Sequence, residues 1–312
     1  MLFQRTIRRP VTLKGIGLHS GEDVSMTLLP APAGTGIIFR AGHEWGREDT
    51  GGRGRTGAVE IKAVSENVGD TSYATSLVRQ IGGGCAKVQT VEHLLAALAG
   101  LGVDNLYVEL SGAEVPIMDG SARPFVDALQ GAGLQTLSAR RRYIKVVRPV
   151  TAHDGDKTAT LLPSPVPRIT CRIDFNHPLV MDEEISMDLD AASFDRELAD
   201  ARTFGFLRDI EMLEKAGLAK GASLDNAVVV GEEHILNPGG LRFPDEFVRH
   251  KALDLIGDLS LAGMPLIAHV VADKSGHRLN QLLVRKLLSE KESWIVLEGE
   301  PMLSEAGLAA AV

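Results

Sequence analysis

Apolar and polar positions alternate through residues 5–30, with breaks at Gly15, Gly17 and Gly21. A period of two is that of a half-buried strand, so this segment predicts a strand, a turn and a second strand. The pattern is lost over 41–57, which is rich in Gly and Arg and reads as a loop. Over 90–101, Leu94, Leu95, Leu98 and Leu101 recur at helical spacing, and Gly100 and Gly102 supply stop signals. Residues 106–110 read as a strand, and a further helix begins at Pro124 and runs to 129. Downstream, strands are expected at 144–150, 159–162 and 169–175, helices at 195–202 and 207–216, and a short strand at 227–230. A helix carrying His250 then ends near Gly263. A strand follows at 266–271, and a helix opens with His277 over 276–288.

The pattern also repeats. His93 begins a helix that ends in Ala99-Gly100 and precedes an apolar strand; His250 begins one that ends in Ala262-Gly263 and precedes another. Between the repeats, Ser138-Ala139-Arg140-Arg141-Arg142 is a basic run flanked by apolar segments and reads as a hinge. The chain is therefore divided into 1–139 and 140–312. If each half carries one His-bearing helix, a metal would sit where the halves meet, a common place for small-molecule sites.

Composition narrows the class. The 312 residues are 44% hydrophobic and 24% charged, as in a soluble globular protein. A net charge of -8 argues against a nucleic-acid partner bound through bulk charge. No apolar run is long enough to span a bilayer, and the N-terminus lacks the apolar core of a secretory signal. The expected compartment is the cytoplasm. Cys85 and Cys171 fit no metal spacing and are expected to be inert thiols.

The chemistry is concentrated in two helices. His250, Asp254 and Asp258 follow one another at four-residue intervals and so share a face. A His and an Asp on adjacent turns can hold one metal ion from the same side. Glu92-His93 opens the other helix. Together they supply His93, His250 and Asp254 as ligands and a free Glu92, which is the composition of a catalytic zinc site. The same spacing also occurs on solvated polar faces, acidic residues are common in first turns, and no HExxH signature is present. Spacing alone leaves both readings open.

Longer stretches are more specific. They are GIGLHSG at 15–21, TVEHLLAALAGLGVDN at 90–105, PIMDGS at 116–121, DFNHP at 174–178, ARTFGF at 201–206, LRFPDEFVRHKALD at 241–254 and KSGH at 274–277. In this order, from about residue 3 to about residue 300, the chain resembles the UDP-3-O-acyl-N-acetylglucosamine deacetylases, zinc amidases of lipid A biosynthesis. The resemblance implies an α+β fold: two domains of similar topology, each layering helices on a small sheet, with the site between them. It implies zinc, held by His93, His250 and Asp254, and Glu92 as general base. His277 matches the histidine that assists the oxyanion and the leaving group, Asp258 its partner, and Thr203 a hydroxyl supporting the oxyanion. Lys157, Lys251 and Lys274 match basic residues near the nucleotide's phosphates, and Phe175 an aromatic at the uracil. The insert 204–230, with Phe204, matches a hydrophobic passage for the acyl chain; Phe204 and Phe206 also read as simple core.

Two departures stand out. The 41–57 loop is longer than in many relatives, and Ala74 stands where some have a cysteine near the metal. His19 lies in a matched motif and reads equally as structural. The implied activity is hydrolysis of the N-acetyl group of an acylated UDP-N-acetylglucosamine. The alternatives are a zinc amidohydrolase for another sugar nucleotide, or a binding protein that has lost catalysis. A transient membrane-surface contact fits such a substrate. The small, apolar C-terminal tail 306–312 reads either as a docked or frayed end or as a segment that a cytoplasmic protease engages.

Overall fold

The computed structural model describes residues 2–41, 59–82 and 84–299. The patternless stretch beyond residue 41, with His43, and the tail at 306–312 lie outside the described residues.

Two five-stranded sheets have the same topology. The first runs, in spatial order, Val11–Ile16, Asp23–Pro30, Leu106–Leu110, Ile37–Ala41 and Val59–Lys62. The second runs Val150–Asp154, Lys157–Leu162, His269–Asp273, Arg168–Ile173 and Glu183–Asp188. In each, an antiparallel hairpin comes first. The strand that arrives last in sequence then inserts at the centre, antiparallel to the hairpin and parallel to its other neighbour. The paired registers align one apolar residue per strand. Val11, Leu28, Val108, Phe39 and Ile61 form such a row in the first sheet, and Val150, Leu161, Val270, Ile169 and Met187 in the second. Alternation within each strand thus collects one face against helices. The chain is mixed α and β, with helices packed on small sheets.

The helices are α1 (Glu92–Leu101), α2 (Arg123–Ala132), α3 (Ala191–Glu197), α4 (Leu207–Lys215), α5 (Glu246–Leu259) and α6 (His277–Ser289). α1 and α5 pack on each other and are buried on nearly every side. That is the expected fate of a helix whose apolar residues do not keep to one stripe. Gly257 allows the approach: a Cβ there would strike the Glu92 carbonyl. The first turn of α1 is thereby brought against the C-terminal half of α5.

Several expectations are corrected. Residues 5–30 hold three strands rather than two, because Phe3–Ile7 ends before Arg8-Arg9-Pro10 and pairs with distant Leu134–Arg140. The helix expected at 195–202 is α3, four residues earlier, set by a capping box between Asp190 and Ser193. The basic run at the expected boundary is structured. Ser138–Arg140 ends a paired strand, and buried Arg141 donates to Asp104 at 2.7 Å. Partners change at this point: Arg142–Val146 pairs with Leu266–Ile267 and Trp294–Glu298. The hairpin Leu77–Ile81 with Gly84–Val88, the edge strand Glu183–Asp188 and Trp294–Glu298 carry no expectation from the sequence. Among the described residues, no helix is long and apolar enough to cross a membrane.

Candidate active site

His93, His250 and Asp254 converge. All three are buried, and a ligand atom from each lies within 4.8 Å of the others. The imidazoles meet edge to face with centroids 4.8 Å apart. Nε2 of His93 and of His250 lie 3.5 and 3.3 Å from Asp254 Oδ1. That oxygen is buried without a hydrogen-bond partner, an acceptor left bare where a cation would sit. The other carboxylate oxygen accepts from Lys251 Nζ at 2.7 Å. Two imidazoles and a carboxylate form a donor set that suits zinc.

The placement of these side chains has a structural cause. Nδ1 of His250 lies 3.0 Å from the Ala201 carbonyl, which can only accept, so Nδ1 carries the proton and Nε2 offers its lone pair. Ala201 is held in turn by Arg202, which binds both oxygens of fully buried Glu246 in the first turn of α5. The start of α1 is pinned through Thr90. Its backbone is left-handed (φ 56°), a strained conformation for a β-branched residue, and its hydroxyl donates to Glu114 at 2.8 Å. Glu114 also accepts the amides of His19 and Ser20, at 2.9 Å each.

Electrostatics separate the buried groups. Burial drives His250 down to about 4, so it is neutral and able to ligate. Burial opposes ionisation of Asp254, but neighbouring charges, the Lys251 ammonium among them, outweigh it and hold the carboxyl well below its ordinary range. Burial raises Glu92, bringing a carboxyl towards the range where it can take up a proton. His277 goes the other way: burial disfavours its charge, yet Asp258, Glu92 and Asp254 raise it to about 9. Its Nδ1 donates to Asp258 Oδ2 at 2.8 Å, and its Nε2 lies 3.8 Å from Glu92 Oε1. A carboxyl raised by burial and an imidazole raised by its carboxylate neighbours thus stand side by side next to the triad.

Other residues marked by the sequence are distributed unevenly. Phe204 and Phe175 join Phe206 and Phe247 in an aromatic cluster, with Phe204 6.3 Å from the His250 ring and Phe175 5.5 Å from Phe204. Thr203 sits beside this cluster, its amide donating to Gly120 and its carbonyl accepting from Val228. The insert 204–230 is a strand–helix–strand unit, Phe204–Phe206 pairing in parallel with Val228–Val230 around α4. Its loop reaches the first half, where the Gly221 amide donates to the Leu18 carbonyl at 3.0 Å and that of Ala219 to His19 Nδ1 at 3.4 Å. Lys274 lies near Asp174 and Asp156, at the hairpin tip that carries exposed Lys157. Lys251 is not with them; it is turned inward onto Asp254. Cys171 is buried, its thiol pushed up to about 12 by burial, whereas Cys85 is exposed. Buried Ala74 brings no thiol.

Thr75, Asn280, Glu114 and the Ala201 carbonyl are absent from the sequence reading. Each acts through contacts between residues far apart in the chain, and none carries a spacing signal. A cavity of about 510 Å³ lies towards the far ends of α1 and α5, lined by Leu98, Leu259 and Tyr143 among others, and contains none of the triad.

The family model for UDP-3-O-acyl N-acetylglycosamine deacetylase (LpxC) matches residues 4–289. A UDP-3-O-acyl-N-acetylglucosamine deacetylase of Pseudomonas entomophila is 50% identical over 299 residues, covering 95% of this chain and 94% of the relative. One from Myxococcus xanthus is 50% identical over 294 residues, covering 94% and 89%. One from Geotalea uraniireducens is 49% identical over 301 residues, covering 96% and 93%. With a match of this extent over a chain that brings His93, His250, Asp254, Glu92 and His277 together, the protein belongs to the UDP-3-O-acyl N-acetylglycosamine deacetylase family.

Proposed function

We propose that this protein hydrolyses the N-acetyl group of UDP-3-O-(3-hydroxyacyl)-N-acetylglucosamine, releasing acetate in the committed step of lipid A biosynthesis, with one zinc ion bound by His93, His250 and Asp254. The observation that carries the reading is the bare, buried Asp254 Oδ1 facing two imidazoles, with Glu92 and the His277–Asp258 pair adjoining. Family membership supports the substrate.

Zinc, when bound, would polarise the amide and bring the pKa of water from about 15.7 towards about 7. Glu92 takes a proton from the attacking water; its burial makes it a stronger base than an exposed carboxylate. His277, protonated at neutral pH, donates to the departing amine, and Asp258 stabilises its charge. The Thr203 hydroxyl assists the developing oxyanion. Lys251 keeps Asp254 ionised. Lys157 and Lys274 receive the diphosphate, Phe175 the uracil, and Phe204 with the insert the acyl chain. The halves 1–139 and 140–312 act as two domains with the site between them. A cytoplasmic enzyme with transient membrane contact suits a substrate that bears one acyl chain.

Acetate release from the acylated UDP-N-acetylglucosamine by purified protein tests this. Turnover should stop with a strong chelator and return with zinc. A zinc-loaded preparation that leaves the N-acetyl group intact would remove the proposal.

A further inference from the structure

Thr75 is fully buried, and each of its polar groups is engaged. Its amide donates to Glu92 Oε2 at 3.0 Å, and its carbonyl accepts the amide of Val91, just before α1, at 3.2 Å. Its hydroxyl donates to Asp258 Oδ1 at 2.5 Å. The direction is unambiguous, because a carboxylate can only accept. The other Asp258 oxygen accepts from His277 Nδ1 and from Asn280 Nδ2, each at 2.8 Å. With His277 Nε2 3.8 Å from Glu92 Oε1, the ring is closed: Thr75, Glu92, His277, Asp258 and back to Thr75.

Thr75 and Glu92 come from the first half of the chain, Asp258 and His277 from the second. We infer that Thr75 is a positioning residue for the deacetylation proposed above: its amide holds Glu92 and its hydroxyl holds Asp258, and hence His277, so that one residue sets the spacing between proton acceptor and proton donor across the two halves. The inference rests on that functional reading. Hydrogen bonds to an ionised group are short and strong, so the hydroxyl is a firm tether. Without it, Asp258 Oδ1 is buried with no donor and the carboxylate can rotate, carrying His277 with it. A displacement of about 1 Å in such a site can cost about 10²-fold in rate.

Thr75→Val keeps the shape, the amide and the carbonyl and removes only the hydroxyl. It should lower kcat by about 10–100-fold with KM and bound metal nearly unchanged. Thr75→Ser should restore most of the rate. In an Asp258→Asn background the valine substitution should add less than about twofold, because the hydroxyl acts through that carboxylate. A purely packing role predicts the opposite pattern: serine no better than valine, and an equal loss in both backgrounds. Either of those results, or wild-type turnover by Thr75→Val, overturns the inference. If Thr75→Val does not fold, Thr75→Ala enters the same cycle. The His277 Nδ1 proton resonance in zinc-loaded ¹⁵N-labelled protein is read alongside. It should move in Thr75→Val and stay in Thr75→Ser whether or not acetate is released. An inactive wild type would therefore sink the functional reading, and an unmoved resonance the tether.

Discussion

His250 is buried and His277 nearly so beside the same site, yet one is driven down to about 4 and the other up to about 9. Burial pushes both the same way. The partner at Nδ1 separates them. His250 meets the Ala201 carbonyl, a neutral acceptor, and has Phe204 close by. His277 meets the Asp258 carboxylate, with Glu92 beyond. A neutral acceptor fixes a tautomer and leaves a lone pair for a cation; a carboxylate stores a proton for delivery. One residue type is thus neutral at one position and charged at the other, through what is packed against each.

The sharpest way to break this contrast is to remove a ligand. His93→Ala or Asp254→Ala should abolish turnover, by at least about 10⁴-fold, and bound zinc together, since the metal supplies several kcal/mol of barrier lowering. Activity retained by a protein shown to be metal-free would refute the ligand assignment. Next is Glu92→Gln, which keeps the shape but not the basicity. Turnover should fall by about 10²–10⁴ with metal content unchanged. Loss of zinc in that variant would make Glu92 a ligand instead.

The helix contact that brings the two environments together can be stressed directly. Gly257→Ala should destabilise the fold by about 3 kcal/mol, because the new methyl group meets the Glu92 carbonyl. Denaturant titration measures this, and a loss below about 0.5 kcal/mol would show that the helices separate easily.

Asp258→Asn should make His277 resemble His250. Without the carboxylate its foremost raising partner is gone, and the pKa falls from about 9. The protonated form is then lost at lower pH, so the alkaline limb of the kcat profile should move to lower pH. An unmoved limb would take the proton-donor role away from His277.

The smallest effect lies in stability. The folded pKa of His277 is raised, so its contribution is complete below about 6.5 and is lost as pH rises through about 9. His250 is lowered, so in metal-free protein its contribution is complete above about 6.5 and is lost as pH falls through about 4. Urea unfolding should give slopes of opposite sign in these two windows, each at most about 1.4 kcal/mol per pH unit. His277→Gln should flatten only the alkaline window.

Much of this was legible from residue spacing. The period of Leu94, Leu95, Leu98 and Leu101 marked α1, and the four-residue steps of His250, Asp254 and Asp258 put them on one face of α5. The recurrence of a His-bearing helix before an apolar strand anticipated the matched sheets. Other elements left no such trace. Glu183–Asp188 is acidic and lies at a sheet edge, where it needs little apolar surface; Phe3–Ile7 finds its partner more than a hundred residues away. The capping box of α3 uses Ser193 where Glu or Gln is the usual signal, so the sequence does not mark its start.

Local order along the chain carries periodicity, caps and ligand spacing, because these depend on neighbours within one or two turns. That is enough to identify two helices bearing histidine and carboxylate, and the motif order is enough to suggest a family. It does not assign Thr75, which has no periodic neighbour and acquires meaning only when Glu92 and Asp258 arrive on either side of it. Nor does it reveal that one buried histidine is neutral and another charged. Protonation is set by charges within a few ångströms in a poorly screened interior, and packing α5 and α6 against α1 decides which charges those are.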